Sequence, residues 1–317
     1  MGAIAALPLA KAGYASSTSW PGALVMGTGQ PGDDFSNFGP VWGKLITEAA
    51  GVEIAYRSTD GSSANLLLIE EGDTELGLCA LPVAIQAHTG TGSWTAGIKL
   101  EQFRVLFPAF PSTLQIISKA NGPTDLAGLA GKAIGVGLAD AGGSTLVEQI
   151  LNCQGIVPGS VEAGDYGPQI HKLLTGELAA CAFFGAAPVA AIQTIANGTQ
   201  LRLIGFSEAE ANQVAHFIPG ITQMVLKAGT FPGQNVNVGS IGTMNMAICT
   251  VALPDHLAAC ATLAALKHRQ QLAVNLPAAL AQPSLHQLCQ WGLPFHHGAA
   301  KVLRKAGYTI PDKLIQL

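Results

Sequence analysis

Short apolar segments typical of β-strands alternate along this chain with segments typical of helices, and no other feature of the sequence limits the fold as much. Ala23–Met26 ends in a glycine-rich turn, after which apolar residues recur at helical spacing from about Asn37 to Ala50. A second strand is predicted over Val52–Arg57, a second helix over Ala64–Glu71 and a third strand over Leu76–Leu81. Such alternation is typical of an open, mostly parallel sheet covered by helices.

The alternation continues through the second half of the chain, whose 317 residues exceed what a single core usually holds. Further strands are predicted at Leu114–Ser118, Ala133–Gly137, Ala179–Phe183, Leu201–Gly205 and Ile241–Val251, and further helices after Gly142 and Pro254. We therefore expect an α/β protein with two lobes, between which the chain crosses near residue 115 and again within 222–250. Lobe I is assigned residues 22–114 plus 228–317, and lobe II residues 115–227.

The composition excludes several classes of protein. Hydrophobic residues make up 49% of the chain and charged residues 11%, which is the opposite of a disordered chain. The 16 basic residues form no cluster, so the electrostatic footprint of a nucleic-acid-binding protein is missing. Mean hydropathy is positive, at +0.35. No apolar run approaches the roughly 20 residues that a membrane-spanning helix needs, so buried strands and alanine-rich helices explain the hydropathy.

The first 21 residues resemble a targeting segment. Met1 to Ser17 reads as the apolar end of a secretory signal followed by small-residue cleavage sites at Ala10-Lys-Ala12 or Gly13-Tyr-Ala15. The basic region that usually begins such a signal is missing, so an apolar arm is the alternative. A signal remnant is favoured, and it predicts export to the periplasm.

The six cysteines show no metal-binding or redox spacing. Most lie in apolar segments, where a free thiol behaves as a small hydrophobic group. In an oxidising compartment Cys153 could bridge to Cys181, or Cys260 to Cys289, and the sequence leaves this open.

Gly27-Thr-Gly29-Gln-Pro-Gly32 matches the dinucleotide-binding pattern GxGxxG between a strand and a helix. Asp33 and Asp34 follow immediately and would repel a pyrophosphate, although Asp60 could serve as the ribose-binding acid. A nucleotide-dependent enzyme using this loop is therefore kept as an alternative. A tight turn that holds some other ligand is favoured.

Two further helix openings offer backbone N–H groups and hydroxyls to an anion. They are Asp60-Gly-Ser-Ser-Ala-Asn65 and Gly142-Gly-Ser-Thr145, the second without the lysine of a phosphate-binding loop. For either opening alone, a simple helix cap is the favoured explanation. Three such openings at the carboxyl ends of strands favour a ligand site, because ligands of open α/β sheets bind at that edge. Catalytic motifs are missing, and His296-His297 is interpreted as part of a turn.

Taken in order, these segments resemble the TAXI-type solute-binding proteins of tripartite ATP-independent periplasmic (TRAP) transporters. The resemblance covers nearly the whole chain after residue 21. It rests on Gly27 through Gly39, Gly61-Ser62 with Asn65, Ala87 through Trp94, Asp125-Leu126 with Gly131-Lys132 and Gly135-Val-Gly137, Ala228-Gly-Thr-Phe-Pro-Gly-Gln234, and Leu293-Pro-Phe-His-His-Gly-Ala299.

The resemblance implies a type II periplasmic binding fold of the Venus-flytrap kind, no catalysis, no cofactor, and delivery of a glutamate-like acid to a TRAP membrane permease. A sensor not coupled to transport is a further alternative. The candidate ligand-binding residues are Thr28, Gly29, Asp33, Asp34, Phe35, Ser62, Asn65, Ala80, Ser144, Thr145, Phe184 and Gly185.

The sequence departs from the family pattern within this set of candidate residues. Phe35 and Ser36 stand where the family usually has tyrosines, and Ala80 and Pro82 where it has Gln and Asp. Asp33 and Asp34 add negative charge, so we expect a monocarboxylate or amine-bearing ligand with an apolar body over a dicarboxylate.

Overall fold

The computed structural model describes residues 22–138, 142–281 and 285–316. The expected targeting segment at 1–21 lies outside these residues. The strands are β1 Ala23–Gly27, β2 Glu53–Arg57, β3 Leu76–Ala80, β4 Phe103–Lys119, β5 Ala133–Gly135, β6 Ser160–Glu162, β7 Ala180–Gly185, β8 Leu201–Ile204, β9 Thr222–Leu226, β10 Val238–Thr250, β11 Phe295–His296 and β12 Ile315–Gln316. The helices are α1 Asp34–Ala50, α2 Ser62–Glu71, α3 Leu81–Thr89, α4 Gly142–Cys153, α5 Tyr166–Thr175, α6 Ala190–Ala196, α7 Glu208–Phe217, α8 Asp255–Lys267, α9 Arg269–Leu272, α10 Leu285–Gln290 and α11 His297–Lys305.

The first lobe is built on the parallel strands β2, β1 and β3, in that order, with β10 antiparallel beside β3. Helix α1 packs its apolar side against this sheet because Phe38, Trp42 and Ile46 recur at helical spacing and are fully buried. The Trp42 indole N–H donates to the Ala261 carbonyl of α8 at 3.1 Å, which joins α1 to a helix more than 200 residues away in the sequence.

Two long strands connect the lobes. Strand β4 has 17 residues and pairs antiparallel with β10 along Phe103–Thr113, then with β7 and β8 along its carboxyl end. Strand β10, 13 residues long, pairs with β3 in the first lobe and with β9 at its amino end. The expected crossing at Leu114–Ser118 is the last third of β4, and the second expected crossing contains β10. We call β4 and β10 the hinge strands.

The second lobe has its own sheet and core. Strands β7, β5 and β6 run parallel to one another, and β7 joins the sheet to β4. Two buried apolar clusters, one containing Ile134 and Val147 and the other Phe183 and Leu173, cover the faces of this sheet. Both clusters stay separate from the larger cluster of the first lobe.

Residues near the two expected lobe boundaries pack in different cores. Phe231 and Ile241 pack in the clusters of the second lobe, whereas Met244 packs in the cluster of the first lobe. Near the first expected boundary, Phe110 belongs to the core of the first lobe and Leu114 to a core of the second. The boundaries at 114/115 and 227/228 stay predictions.

Most predicted elements are present, with shifted ends. Helix α1 begins at Asp34 rather than near Asn37, because Asp33 caps it. The six cysteines, all within the described residues, are free thiols, so neither of the two possible bridges is formed in this structure. No helix of the described residues has the length and apolar character to cross a membrane.

Candidate ligand-binding cleft

A cavity of about 80 Å³ lies between the lobes. It has room for several water molecules, since one water needs about 10–15 Å³. The first lobe, the hinge strands and the second lobe all line it. The first lobe contributes Asp33, Asp34, Phe35, Gly61, Ser62, Ala80 and Val83; the hinge strands contribute Ser112 and Asn245; the second lobe contributes Val136, Gly137, Leu138, Gly142, Gly143, Ser144, Leu146, Tyr166 and Phe184. We call this cavity the cleft.

Five helices begin at the wall of the cleft, because the carboxyl ends of the strands that precede them meet there. They are α1, α2, α3, α4 and α5. The amino ends of α2 and α4 face each other across the lobes: a Cβ at Gly61 would lie 3.9 Å from the backbone nitrogen of Gly142. Gly61 has a φ of +91°, which glycine adopts without strain, and it supplies no side-chain cap to α2.

Asp33 caps α1 and fills the glycine-rich loop. Its Oδ1 accepts from the Ser36 backbone N–H at 2.6 Å. Its other oxygen occupies the space over Gly29, where an added Cβ would lie only 1.8 Å away. The carboxylate therefore stands where a dinucleotide-binding loop would admit a pyrophosphate. This geometry argues against the nucleotide-dependent alternative, in which the loop must be open to an anion.

Asp34 joins the first lobe to the segment that follows β7. Its Oδ2 accepts from the Ala186 backbone N–H at 2.6 Å, across 152 positions of sequence. Burial raises the pKa of this carboxyl from 3.8 to about 6; the Ala186 N–H opposes the increase and the Asp33 charge adds to it.

Ser112 and Asn245 form the part of the cleft that the hinge strands provide. The Asn245 side-chain Nδ2 donates to the Phe110 carbonyl at 3.2 Å and to the Ser112 hydroxyl at 2.7 Å. A β-bulge interrupts the register between Asn245 and Met246. Bulges redirect side chains and are common beside functional sites.

Tyr166 is the aromatic hydroxyl of the cleft. Its ring packs on Phe183 with the ring centroids 4.7 Å apart. Burial, followed by the nearby charges of Asp34 and Asp33, raises the pKa of the phenol well above its usual value, so it is a neutral hydroxyl. Tyr166, Ser112 and Asn245 were not among the ligand-binding residues expected from the sequence. The one available signal was the position of Tyr166 at the start of a helix that follows a strand.

Seven of the expected ligand-binding residues line the cleft, and five do not. Those that line it are Asp33, Asp34, Phe35, Ser62, Ala80, Ser144 and Phe184. Those that do not are Thr28, Gly29, Asn65, Thr145 and Gly185. Thr145 is exposed on α4, and the Thr28 hydroxyl donates to the Arg57 carbonyl. Gly185 lies beside Asp34 without lining the cavity.

Asn65 holds strand ends together, and its side chain has no group left for a ligand. Its Nδ2 donates to the carbonyls of Thr28 and Leu78, both at 2.8 Å, and its Oδ1 accepts from the Thr59 hydroxyl at 2.8 Å. Ser62 also has a structural bond, since its hydroxyl oxygen accepts from the Ala80 N–H at 3.0 Å.

His296 and His297 stabilise the start of α11. The His296 Nδ1 accepts from the Gly298 N–H, and its Nε2 lies 2.8 Å from the Leu253 carbonyl, which requires the tautomer protonated at Nε2. Nδ1 of His297 lies 2.5 Å from a carboxylate oxygen of Asp255. Among the described residues no group of three or more His, Cys, Asp or Glu side chains could hold a metal ion.

Two lobes joined by hinge strands, with a cleft at the carboxyl ends of their strands, form the fold of type II periplasmic binding proteins. Solved structures of similar fold include the periplasmic binding protein BugD, with 13% identity, a TM-score of 0.53, and coverage of 92% of this chain and 100% of that one. XAC2383 from Xanthomonas citri, bound to chloride, has 9% identity, a TM-score of 0.53, and coverage of 91% and 100%. The GluR0 ligand-binding core from Nostoc punctiforme, in complex with L-glutamate, has 18% identity, a TM-score of 0.49, and coverage of 80% and 96%.

The chain belongs to the NMT1-like family, whose family model matches residues 26–307. The match spans both lobes and the hinge strands.

Proposed function

We propose that this protein is an extracytoplasmic receptor that captures a small organic acid or amino-acid-like solute and delivers it to a TRAP-type membrane permease. The observation that carries the proposal is the cleft, to which both lobes and both hinge strands contribute. The ordered resemblance of the sequence to TAXI-type binding proteins supports coupling to a TRAP permease. The two-lobed fold supports a periplasmic location.

Capture follows from the arrangement of the lobes. A solute that contacts both lobes binds the closed arrangement better than the open one, so it shifts the population toward closure. The polar groups that could orient it come from helix starts in both lobes, and apolar side chains such as Phe35 and Phe184 can cover its body. The permease then recognises the closed surface, which the open protein lacks.

The test is a thermal-shift screen of amino acids, amines and organic acids against the full chain. A solute that binds only the folded state raises stability as RT ln(1 + [L]/Kd), so a ligand at 100 times its Kd adds about 2.7 kcal/mol. A solute that shifts the melting temperature is then supplied to proteoliposomes that contain a TAXI-type permease. Uptake that requires this protein supports the receptor; binding without any uptake favours the sensor alternative.

The location is tested with a reporter that is active only after export. Alkaline phosphatase fused after residue 30 is expected to be active in the periplasm. Its activity should be lost when residues 1–21 are removed. An inactive fusion that carries residues 1–21 would contradict export directed by this segment.

A further inference from the structure

We infer that the solute bound in this cleft carries a protonated amine, for which Asp34 is the counter-ion and Asn245 a second acceptor. This inference deepens the proposed function and rests on it. It follows from the charge of the cleft and from the two side chains that offer unused acceptors there.

The charged groups of the cleft are all acidic. Among the described residues that line it there are two carboxyl groups, Asp33 and Asp34, and no Lys, Arg or His. Residues 139–141 are not among the described residues. Their sequence is Ala-Asp-Ala, which contains no basic residue. A dianion would therefore meet like charge without a compensating cation, whereas an ammonium group would meet opposite charge.

Asn245 presents an acceptor to the cleft. It is only 3% exposed, and its Nδ2 donates to Phe110 and Ser112. Because a backbone carbonyl can only accept, the bond to Phe110 fixes which end of the amide is nitrogen. The remaining Oδ1 has no donor among the described residues. Because Asn245 lines the cavity, this oxygen is available to accept an ammonium N–H from the solute.

Asp34 has one oxygen bonded and one available. Its Oδ2 accepts from Ala186, and its Oδ1 has no partner among the described residues. Asp33 differs, because its carboxylate caps α1 and fills the space over Gly29. Asp34 is therefore the carboxylate that is free to pair with a cation. Phe35, Val83 and Phe184 supply apolar surface to the same cavity, which favours an amine attached to an apolar body.

The experiment compares each amine with a partner of similar apolar body in which a keto group or a carboxylate replaces the amine. Calorimetric titrations at pH 8 use L-leucine with 4-methyl-2-oxopentanoate, L-phenylalanine with phenylpyruvate, and 3-methylbutylamine with 4-methylpentanoate, and also include 2-oxoglutarate. We expect at least one amine to bind at least tenfold more tightly than its amine-free partner. Asp34→Asn keeps an acceptor for the Ala186 N–H but removes the charge, so it should lower the affinity for that amine at least tenfold. Asn245→Ala should lower the affinity for the same amine severalfold.

The matched control is Asp73→Asn, which removes the same charge from an exposed ion pair with Arg57 and should leave affinity within twofold. Binding of the amine-free acids in preference to the amines overturns the inference and leaves the receptor function standing. Amine binding that Asp34→Asn does not weaken also overturns it, provided that the variant melts cooperatively. If no compound of either series binds, the inference fails, and the proposed function is decided separately by the thermal-shift screen.

Discussion

Asp34 is a carboxyl whose folded pKa, about 6, lies above the unfolded value of 3.8. Between these values the folded state holds more protons than the unfolded state, so the free energy of unfolding contributed by Asp34 decreases as pH rises through that window. The ligand-free protein is thus destabilised at neutral pH by the charge that we assign to solute binding.

We expect Asp34→Asn to stabilise the ligand-free protein at pH 7.5 by about 2 kcal/mol or less, because each pKa unit corresponds to about 1.4 kcal/mol and the group is only partly buried. Urea unfolding at several pH values between 7.5 and 4 should show the gain shrinking as pH falls. A gain that does not change with pH would contradict this assignment.

Asn65 illustrates a side chain whose role is structural. Asn65→Ala would remove the hydrogen bonds to the carbonyls of Thr28 and Leu78 and the bond from the Thr59 hydroxyl, and we expect about 3 kcal/mol loss of stability. Ligand affinity of the folded variant should stay within about twofold, since Asn65 does not line the cleft. Ser63→Ala, two residues earlier on α2, is the control and should change stability little. A large loss of affinity would show instead that Asn65 contributes to ligand binding.

At the scale of elements, the contact between β4 and β10 depends on a small residue. A Cβ at Gly242 would lie 2.4 Å from the Ser112 backbone oxygen and 2.7 Å from Met224 Cγ, so the hinge strands would have to separate. We expect Gly242→Ala to lower stability by about 2 kcal/mol or more and to weaken solute binding by displacing Ser112.

Gly167→Ala is the matched control for the hinge, because Gly167 lies in α5 with nothing within 4 Å of an added Cβ. It should be neutral or slightly stabilising, since alanine is the better helix former. Thermal melts of the two variants side by side provide the measurement. Equal melting temperatures would show that the strands adapt to the added methyl group.

At the scale of the whole molecule, the connection of two cores by two continuous strands predicts motion of the lobes as rigid bodies. Small-angle scattering should give a smaller radius of gyration with a saturating solute than without it. An unchanged radius at a concentration where calorimetry shows saturation would count against closure about the hinge strands.

The local pattern of the sequence determined much of the fold. Short strand-like segments of four to six residues and helical spacing located β1, β2, β3 and the helices between them, because period and turn chemistry are properties of neighbouring residues. The same pattern placed Asp34, Ser62 and Ser144 at helix starts, and all three line the cleft. It also led to the two-lobed α/β class.

Only the tertiary structure decided which side chains meet in the cleft. Asn245 and Ser112 lie in strands that read as ordinary buried segments, and they meet across 133 positions because β4 and β10 pair. The bond from Ala186 to Asp34 spans 152 positions. Thr28 and Asn65 share the local pattern of binding residues, yet their polar groups bond to the chain itself. The physical reason is that a side chain serves a ligand only when folding leaves its polar atoms unpaired at a cavity, and pairing between distant strands decides this.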